Sequence, residues 1–455
     1  MTTTATALVM ARRRTAARRE LWADALEAAV WFVAAAGVAL MLRAGGLVAN
    51  APIDYLYSLG RALGIVATVL MLAQVLLVSR APWIEGSVGH DATTALHTRL
   101  GRWAIILMLA HAATIVSMTG YYDGRTPWSE TAALFTQSWF LATAQLALAL
   151  FLVVLALSLA VVRRRWRYEA WHAVHLIVYA AVAAAVPHQV LEGSTFRHGD
   201  LATGYWIALY VVAFGALLTH RVIQPLVRLR RHDTRVASVR SLPDGSTDIV
   251  VSGRGLSALG AHPGQFMLWR FLDRERWREA HPFSLAAAPA DTSLRVTVKP
   301  SGDFTTALRH VRPGTRVMVE GPLGVFTHRA RRGHGTVLVA AGIGVTPVRA
   351  MLEAMEPGEP CDVVVRIRSG EEAPLLDEVR ELAAQSGATL HLLEGPRGDG
   401  WVPRGSEATL VTLAPGVAER DVFVCGPAAW AAQVAADAEG SGVPAEAIHR
   451  ERFGW

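Results

Sequence analysis

The stretch Ser138-Trp-Phe-Leu-Ala-Thr-Ala-Gln-Leu-Ala-Leu-Ala-Leu-Phe-Leu-Val-Val-Leu-Ala-Leu-Ser-Leu-Ala-Val-Val162, followed at once by Arg163-Arg-Arg-Trp-Arg167, decides the fold of the first half of this chain. It carries no charge and exceeds the ~20 residues a helix needs to cross about 30 Å of hydrocarbon. A buried helix in a soluble protein is shorter and keeps a polar stripe. Working outward, the same reading gives five more spans, at 21–42, 56–78, 96–118, 171–190 and 204–223. Between residues 104 and 162 the only charged residues are Asp123, Arg125 and Glu130, all in one short loop. The expectation is a six-helix transmembrane bundle. Its first span is too long, and followed by too many others, to be a cleaved signal peptide.

Arginine placement orients the bundle. One side holds Arg12, Arg13, Arg14, Arg18, Arg19, Arg80, Arg99, Arg102, Arg163, Arg164, Arg165, Arg167, Arg221, Arg228, Arg230, Arg231 and Arg235; the other holds only Arg43, Arg125 and Arg197. By the positive-inside rule both termini are expected in the cytoplasm and the protein in the plasma (inner) membrane. The same distribution accounts for a net charge of +6 without nucleic acid.

Composition agrees with a chain of two unlike parts. The 455 residues are 52% hydrophobic and 18% charged, and the mean hydropathy is +0.30, between soluble and fully embedded values. That excludes disorder. Two cysteines without a CxxC pair exclude a disulfide scaffold and a cysteine zinc site. From about Arg235, short alternating segments at 247–252 and 293–298 with Pro-Gly turns read as antiparallel strands of a small barrel. After Gly335 the pattern turns to βαβ, with strands at 336–341 and 361–367 around a helix at 348–354. The expected domains are a basic segment 1–20, a membrane domain 21–232, an antiparallel β-barrel domain 233–332 and an α/β nucleotide-binding domain 333–455.

Imidazoles inside spans are costly and usually functional. His97 and His111 lie 14 apart on the third span, and His175 and His188 lie 13 apart on the fifth. These separations amount to about 21 and 20 Å along a helix and keep each pair on one face. The two spans run in the same direction, so His97 pairs with His175 near the cytoplasm and His111 with His188 near the outer face. One neutral imidazole from each helix gives a six-coordinate haem suited to passing electrons. His172, one turn before His175, is the alternative inner ligand, and hydrogen bonding across helices is the alternative role for all four. His90 and His198 fall in loops and read as solvated. Pro187 is expected to tilt the end of the fifth helix.

The segment His281-Pro282-Phe283-Ser284 resembles the flavin motif of ferredoxin-reductase-like flavoproteins, and with the membrane histidines the chain resembles the ferric reductase and NADPH oxidase superfamily. That resemblance implies that Ser284 lies near flavin N5. Val298-Lys299-Pro-Ser-Gly302-Asp-Phe-Thr305 resembles the second flavin motif: Lys299 supplies charge, Gly302 close backbone approach, and Thr305 a helix start for the pyrophosphate. Glu320-Gly-Pro-Leu-Gly324 resembles the turn that closes the flavin domain. Gly342-Ile-Gly344-Val-Thr346-Pro347 follows a strand and opens a helix, the setting of a dinucleotide turn, in the GxGxTP form of this superfamily. Cys425-Gly426-Pro427 resembles the motif that sets a thiol beside nicotinamide C4, whereas Cys361 reads as a buried structural thiol. Phe453 resembles the terminal aromatic that covers the flavin, with Trp455 as the other candidate. Arg366, Arg368 and Ser369 follow the second nucleotide strand where no carboxylate occurs, which favours NADPH over NADH.

The expected function is transmembrane electron transfer from NADPH through FAD and two b-type haems to oxygen, a ferric chelate or an outer protein. Membrane lipid and small-molecule donors and acceptors are the expected partners. The alternative is a membrane haem and nucleotide sensor or scaffold without turnover.

Overall fold

The computed structural model describes residues 2–47, 51, 53–158, 168–192, 201–331, 333–356, 358–368, 373–398 and 400–452, without the side chains of 2–20, 86, 90, 91, 168–170 and 452. The readings placed on Arg163–Arg167, Arg197, His198, Ser369, Phe453 and Trp455 lie outside the described residues. The chain forms two compact units, Arg19–Ile223 and Gln224–Trp455 with Met1–Arg18.

The first unit is helical: α1 (Thr2–Arg43), α2 (Asp54–Val78), α3 (Pro82–Ser87), α4 (His90–Tyr122), α5 (Pro127–Gln137), α6 (Trp139–Ser158), α7 (Tyr168–His175), α8 (Ile177–Leu191) and α9 (Leu201–Leu218). Six stretches are long and apolar enough to cross a membrane: Leu21–Arg43, Asp54–Val78, Ala92–Tyr122, Trp139–Ser158, Trp171–Leu191 and Leu201–His232. This is a multi-pass membrane protein. Its central helix is α2, whose most apolar window is 44% buried against 11–17% for the other five. Leu70 and Leu77 pack with Leu96, Leu100 and Ala104 of α4, and Leu72 and Val75 with Ala213 of α9. Outward faces keep Phe32, Ile106, Trp139 and Val211 exposed, as a lipid solvent requires and water would penalise.

The last span extends further than the arginines suggested. A π turn at Thr219–Ile223 precedes α10 (Gln224–His232), which belongs to the second unit. Pro225 cannot donate to the carbonyl one turn back and its ring crowds that carbonyl, so the helix resets just before it.

In the second unit, β1 (Arg235–Ser241), β2 (Thr247–Ser252) and β5 (Ser293–Val298) form one antiparallel sheet, and β4 (His281–Ser284), β3 (Phe266–Phe271) and β6 (Val317–Leu323) another. The expected barrel is not closed: among the described residues the two sheets are joined by isolated bridges, Leu285 to Val296 and Arg235 to Arg316, rather than by continuous ladders. Ile249, Trp269, Phe271, Val296 and Val317 fill the space between them. A short helix α11 (Asp303–Ala307) follows β5.

The nucleotide lobe is a parallel sheet in the order β11-β10-β7-β8-β9, from β7 (Thr336–Ala341), β8 (Cys361–Ile367), β9 (Thr389–Glu394), β10 (Asp421–Gly426) and β11 (Ile448–Arg452). Helices α12 (Val345–Glu353), α13 (Leu376–Ser386), α14 (Leu410–Leu413) and α15 (Ala428–Gly440) accompany it. All six residues of β7 are buried, the pattern of a strand covered on both faces.

Candidate functional site

Within the helical unit, α4 carries His97 and His111, α7 ends at His175, and α8 carries His188. The His97 and His175 ring centres stand 6.4 Å apart at 71°. Two imidazoles on one metal at about 2 Å each place their centres on the order of 6 Å apart, so this pair has room for one iron. The Nδ1 atoms of His175 and His188 are buried and meet no partner with bonding geometry among the described residues. The ring of His175 stacks on Trp171 at 5.2 Å, whereas His172 stands one turn earlier with its ring 6.5 Å from Trp171.

His111 and His188 both line one cavity of about 320 Å³, together with Arg61, Gly64, Phe151, Gln189, Trp206 and Tyr210. His111 Nδ1 donates to the Gly60 carbonyl at 2.7 Å. A carbonyl only accepts, so the proton sits on Nδ1 and the Nε2 lone pair is left for a metal. Gly64 clears the ring: a Cβ there would lie 2.7 Å from His111 Nδ1. The histidine spacing gave no sign of these supports. Gly60 and Gly64 are ordinary span residues in sequence, whereas Arg61 and Gln74 are polar residues of the second span that no spacing tied to a histidine; the buried Gln74 amide lies 2.6 Å from His97 Nδ1.

In the split barrel, β4 presents Ser284, whose Oγ is buried and meets no partner among the described residues. A buried hydroxyl left so costs about 1–3 kcal/mol, which a ligand accepting its hydrogen bond would recover. His281 stacks on Phe304 at 3.8 Å and its Nε2 lies 3.2 Å from Glu279. Pro282 pairs with Leu268, while Phe283 gives its carbonyl to Trp269 Nε1. Lys299 is exposed at the end of β5. The expected helix start differs from the reading: α11 has five residues, and Thr305 Oγ1 already accepts from the amides of Ser301 and Gly302. That short helix brings little dipole, so the positive charge here comes from Lys299.

In the nucleotide lobe, Gly342 turns with φ +56 at the end of β7. Gly344 packs so close to β10 that a Cβ would lie 2.1 Å from the Cys425 carbonyl. Only glycine fits both demands. Thr346 Oγ1 donates to the Ile343 carbonyl at 3.0 Å and Pro347 is buried in the first turn of α12. The two motifs therefore touch: the glycine turn lies against Cys425-Gly426-Pro427, with Pro427 opening α15. Cys425 is wholly buried, and that burial, with Glu451 nearby, pushes its thiol well above the usual range. It is a neutral group. Cys361 is likewise buried, its thiol pushed up to about 12 by burial and by Asp362. Arg366 is not available to a ligand: it donates to the carbonyls of Ile367, Leu393, Gly395 and Pro396. Arg368 is exposed beyond the strand end.

Residues 63–186 match the family described as Ferric reductase like transmembrane component, and residues 232–327 match an FAD-binding domain. The chain is 32% identical over 225 residues to the ferredoxin reductase component of 3-ketosteroid-9-alpha-monooxygenase from Mycobacterium tuberculosis, covering 47% of this chain and 60% of that protein. It is 25% identical over 314 residues to Dual oxidase 1 of Rattus norvegicus, covering 62% of this chain and 19% of that one. Among solved structures, the FAD/NAD-binding domain of nitric oxide dioxygenase from Vibrio cholerae aligns with a TM-score of 0.41 at 24% identity, over 49% of this chain and 98% of that one. The chain thus spans about three fifths of the mycobacterial reductase and a fifth of the oxidase. It joins a segment that matches the ferric-reductase-like transmembrane family to one that matches an FAD-binding domain, a pairing similar to that expected of the ferric reductase and NADPH oxidase superfamily.

Proposed function

We propose that this chain carries electrons from cytoplasmic NADPH, through FAD and two b-type haems, to an acceptor on the outer face of the plasma membrane, either oxygen to give superoxide or a ferric chelate. The observation that supports it most directly is the set of four membrane imidazoles in two groups, one facing pair 6.4 Å apart and one pair lining a common cavity. Bound flavin supplies the conversion between a two-electron nicotinamide donor and one-electron haem iron. The chain's own residues do the rest. His97 with His175, and His111 with His188, hold the irons, and the Gly60 carbonyl keeps the lone pair of His111 pointed at its metal. Ser284 donates its orphaned hydroxyl to flavin N5, while His281, Pro282 and Phe283 form the strand that presents it. Lys299, with the backbone at Gly302, meets the flavin pyrophosphate. Gly342, Gly344, Thr346 and Pro347 admit the nicotinamide nucleotide, and Arg368 pairs with its 2′-phosphate. Cys425, Gly426 and Pro427 close the wall behind the nicotinamide, where a neutral thiol does not compete as a base. Phe453 or Trp455 covers the flavin.

The test is a spectrum of the purified protein with FAD under anaerobic conditions. A haem Soret band that shifts to its reduced position on adding NADPH is expected. Absence of the band, or haem that stays oxidised, rejects the reading. Oxygen uptake compared with ferric chelate reduction at equal NADPH separates the two acceptors.

A further inference from the structure

A partly buried charge cluster joins the two lobes of the second unit. Arg349, two residues beyond Pro347 on α12, is 7% exposed. Its guanidinium donates to the carbonyl of Ala286 at 3.1 Å, to Glu378 at 2.8 Å and to Glu353 at 2.6 Å. Ala286 itself stands two residues beyond Ser284. Glu353 closes a second link by accepting from the Ala288 amide at 2.6 Å. Glu378 on α13 is also gripped by both terminal nitrogens of Arg295 on β5, at 2.6 and 2.8 Å, and Arg295 Nε donates to buried Asp248 at 2.8 Å. Around the cluster the lobes share one apolar core, with Ala286 and Phe326 packed among Val345, Val348, Met351 and Leu376.

Ion pairs with partly exposed carboxylates add little net stability, because solvent and desolvation offset much of their attraction, while directional bonds of this kind fix geometry. Here the geometry fixed is the placement of the helix that opens from the glycine turn against the segment carrying Ser284. We propose that Arg349, with Glu353 and Glu378, is the positioning set that holds the nicotinamide site at reacting distance from the flavin site. The inference rests on the flavin and nicotinamide step of the proposed function. In that step the C4–H bond of the dihydronicotinamide breaks, a hydride carrying two electrons forms the N5–H bond of the flavin, the nicotinamide is oxidised and the flavin reduced. Displacement by about 1 Å from outside the reacting groups can cost on the order of a hundredfold.

The experiment uses the full chain in detergent, as wild type, Arg349→Met and Glu353→Gln. In protein free of both cofactors, amide hydrogen exchange of residues 285–290 is expected to accelerate in both variants. Reconstituted with FAD, both are expected to lose at least about tenfold in the limiting rate of anaerobic flavin reduction per bound flavin, with the apparent Kd for NADPH within about threefold of wild type. Unchanged exchange at 285–290, or a rate per bound flavin within about twofold of wild type even with a lowered melting temperature, overturns the proposal. Should Arg349→Met not fold, Glu353→Gln decides alone, since its side chain is about a third exposed. Failure of wild-type protein to reduce its flavin rejects the proposed function instead, so the two failures are distinct.

Discussion

A buried hydroxyl without a partner marks a place for a ligand, and among the described residues Ser284 carries one. The Ser284→Ala change removes an unsatisfied group from the cofactor-free protein, so its melting temperature should hold or rise. With FAD bound the sign reverses: a lost hydrogen bond of about 1.5 kcal/mol to the reacting atom corresponds to about a tenfold slower flavin reduction. Melting curves with and without FAD, beside stopped-flow reduction, measure both signs. Gly64 gives a second prediction. A Cβ there would meet three atoms of the His111 ring at 2.7–3.1 Å, so Gly64→Ala should displace the imidazole and lower haem per protein by about half, read as pyridine haemochrome, while flavin content is unchanged. The histidines themselves were legible because a helix writes its faces into sequence at a fixed period. Gly64 was not, because its reason is a ring on another helix, 47 positions away in the chain.

Elements were legible to different depths. The six spans and the strand, turn and helix of the nucleotide lobe follow from apolar length and period, which are local properties. The split of the barrel depends on which strands bond across the gap, and the π turn before Pro225 on how a helix absorbs a missing donor; neither leaves a periodic trace. Strand β10 joins the lobes through Phe423, which is fully buried, meets Phe326 edge-on at 5.2 Å and stacks on His449 at 4.3 Å. Phe423→Ala should destabilise the second unit by about 3–5 kcal/mol, seen as FAD release at lower guanidinium. Helix α13 gives a pH prediction. Hydrogen bonds from Arg295 hold Glu378 down at about 2 from an ordinary 4.5, against the opposing pull of burial. A depressed carboxylate stabilises the fold above its unfolded pKa and loses that contribution as pH falls through its folded one. Stability should therefore decline from about pH 4.5 toward 2, and Glu378→Gln should flatten the slope in that window alone.

At the scale of the whole molecule, mean hydropathy of +0.30 averages six spans, whose windows run from 1.6 to 2.5, with a less apolar remainder. The first unit holds five of the six apolar stretches and most of the sixth, and the second includes the residues that match an FAD-binding domain. Charge follows the same division, since arginines crowd alternate connections of the bundle while 120–130 holds one. Cytoplasmic arginine resists translocation during insertion, and the alternation repeats across all six spans, so every loop votes for the same orientation. The proposed electron path requires that orientation, with the donor in the cytoplasm and the cavity lined by His111 and His188 toward the outer face. In a bacterial host, a fluorescent protein fused after Trp455 should fold and fluoresce. An alkaline phosphatase inserted within 120–130 should be active, because it matures only outside the cytoplasm. A dark C-terminal fusion with an inactive phosphatase would invert the bundle and, with it, the direction assigned to the electrons.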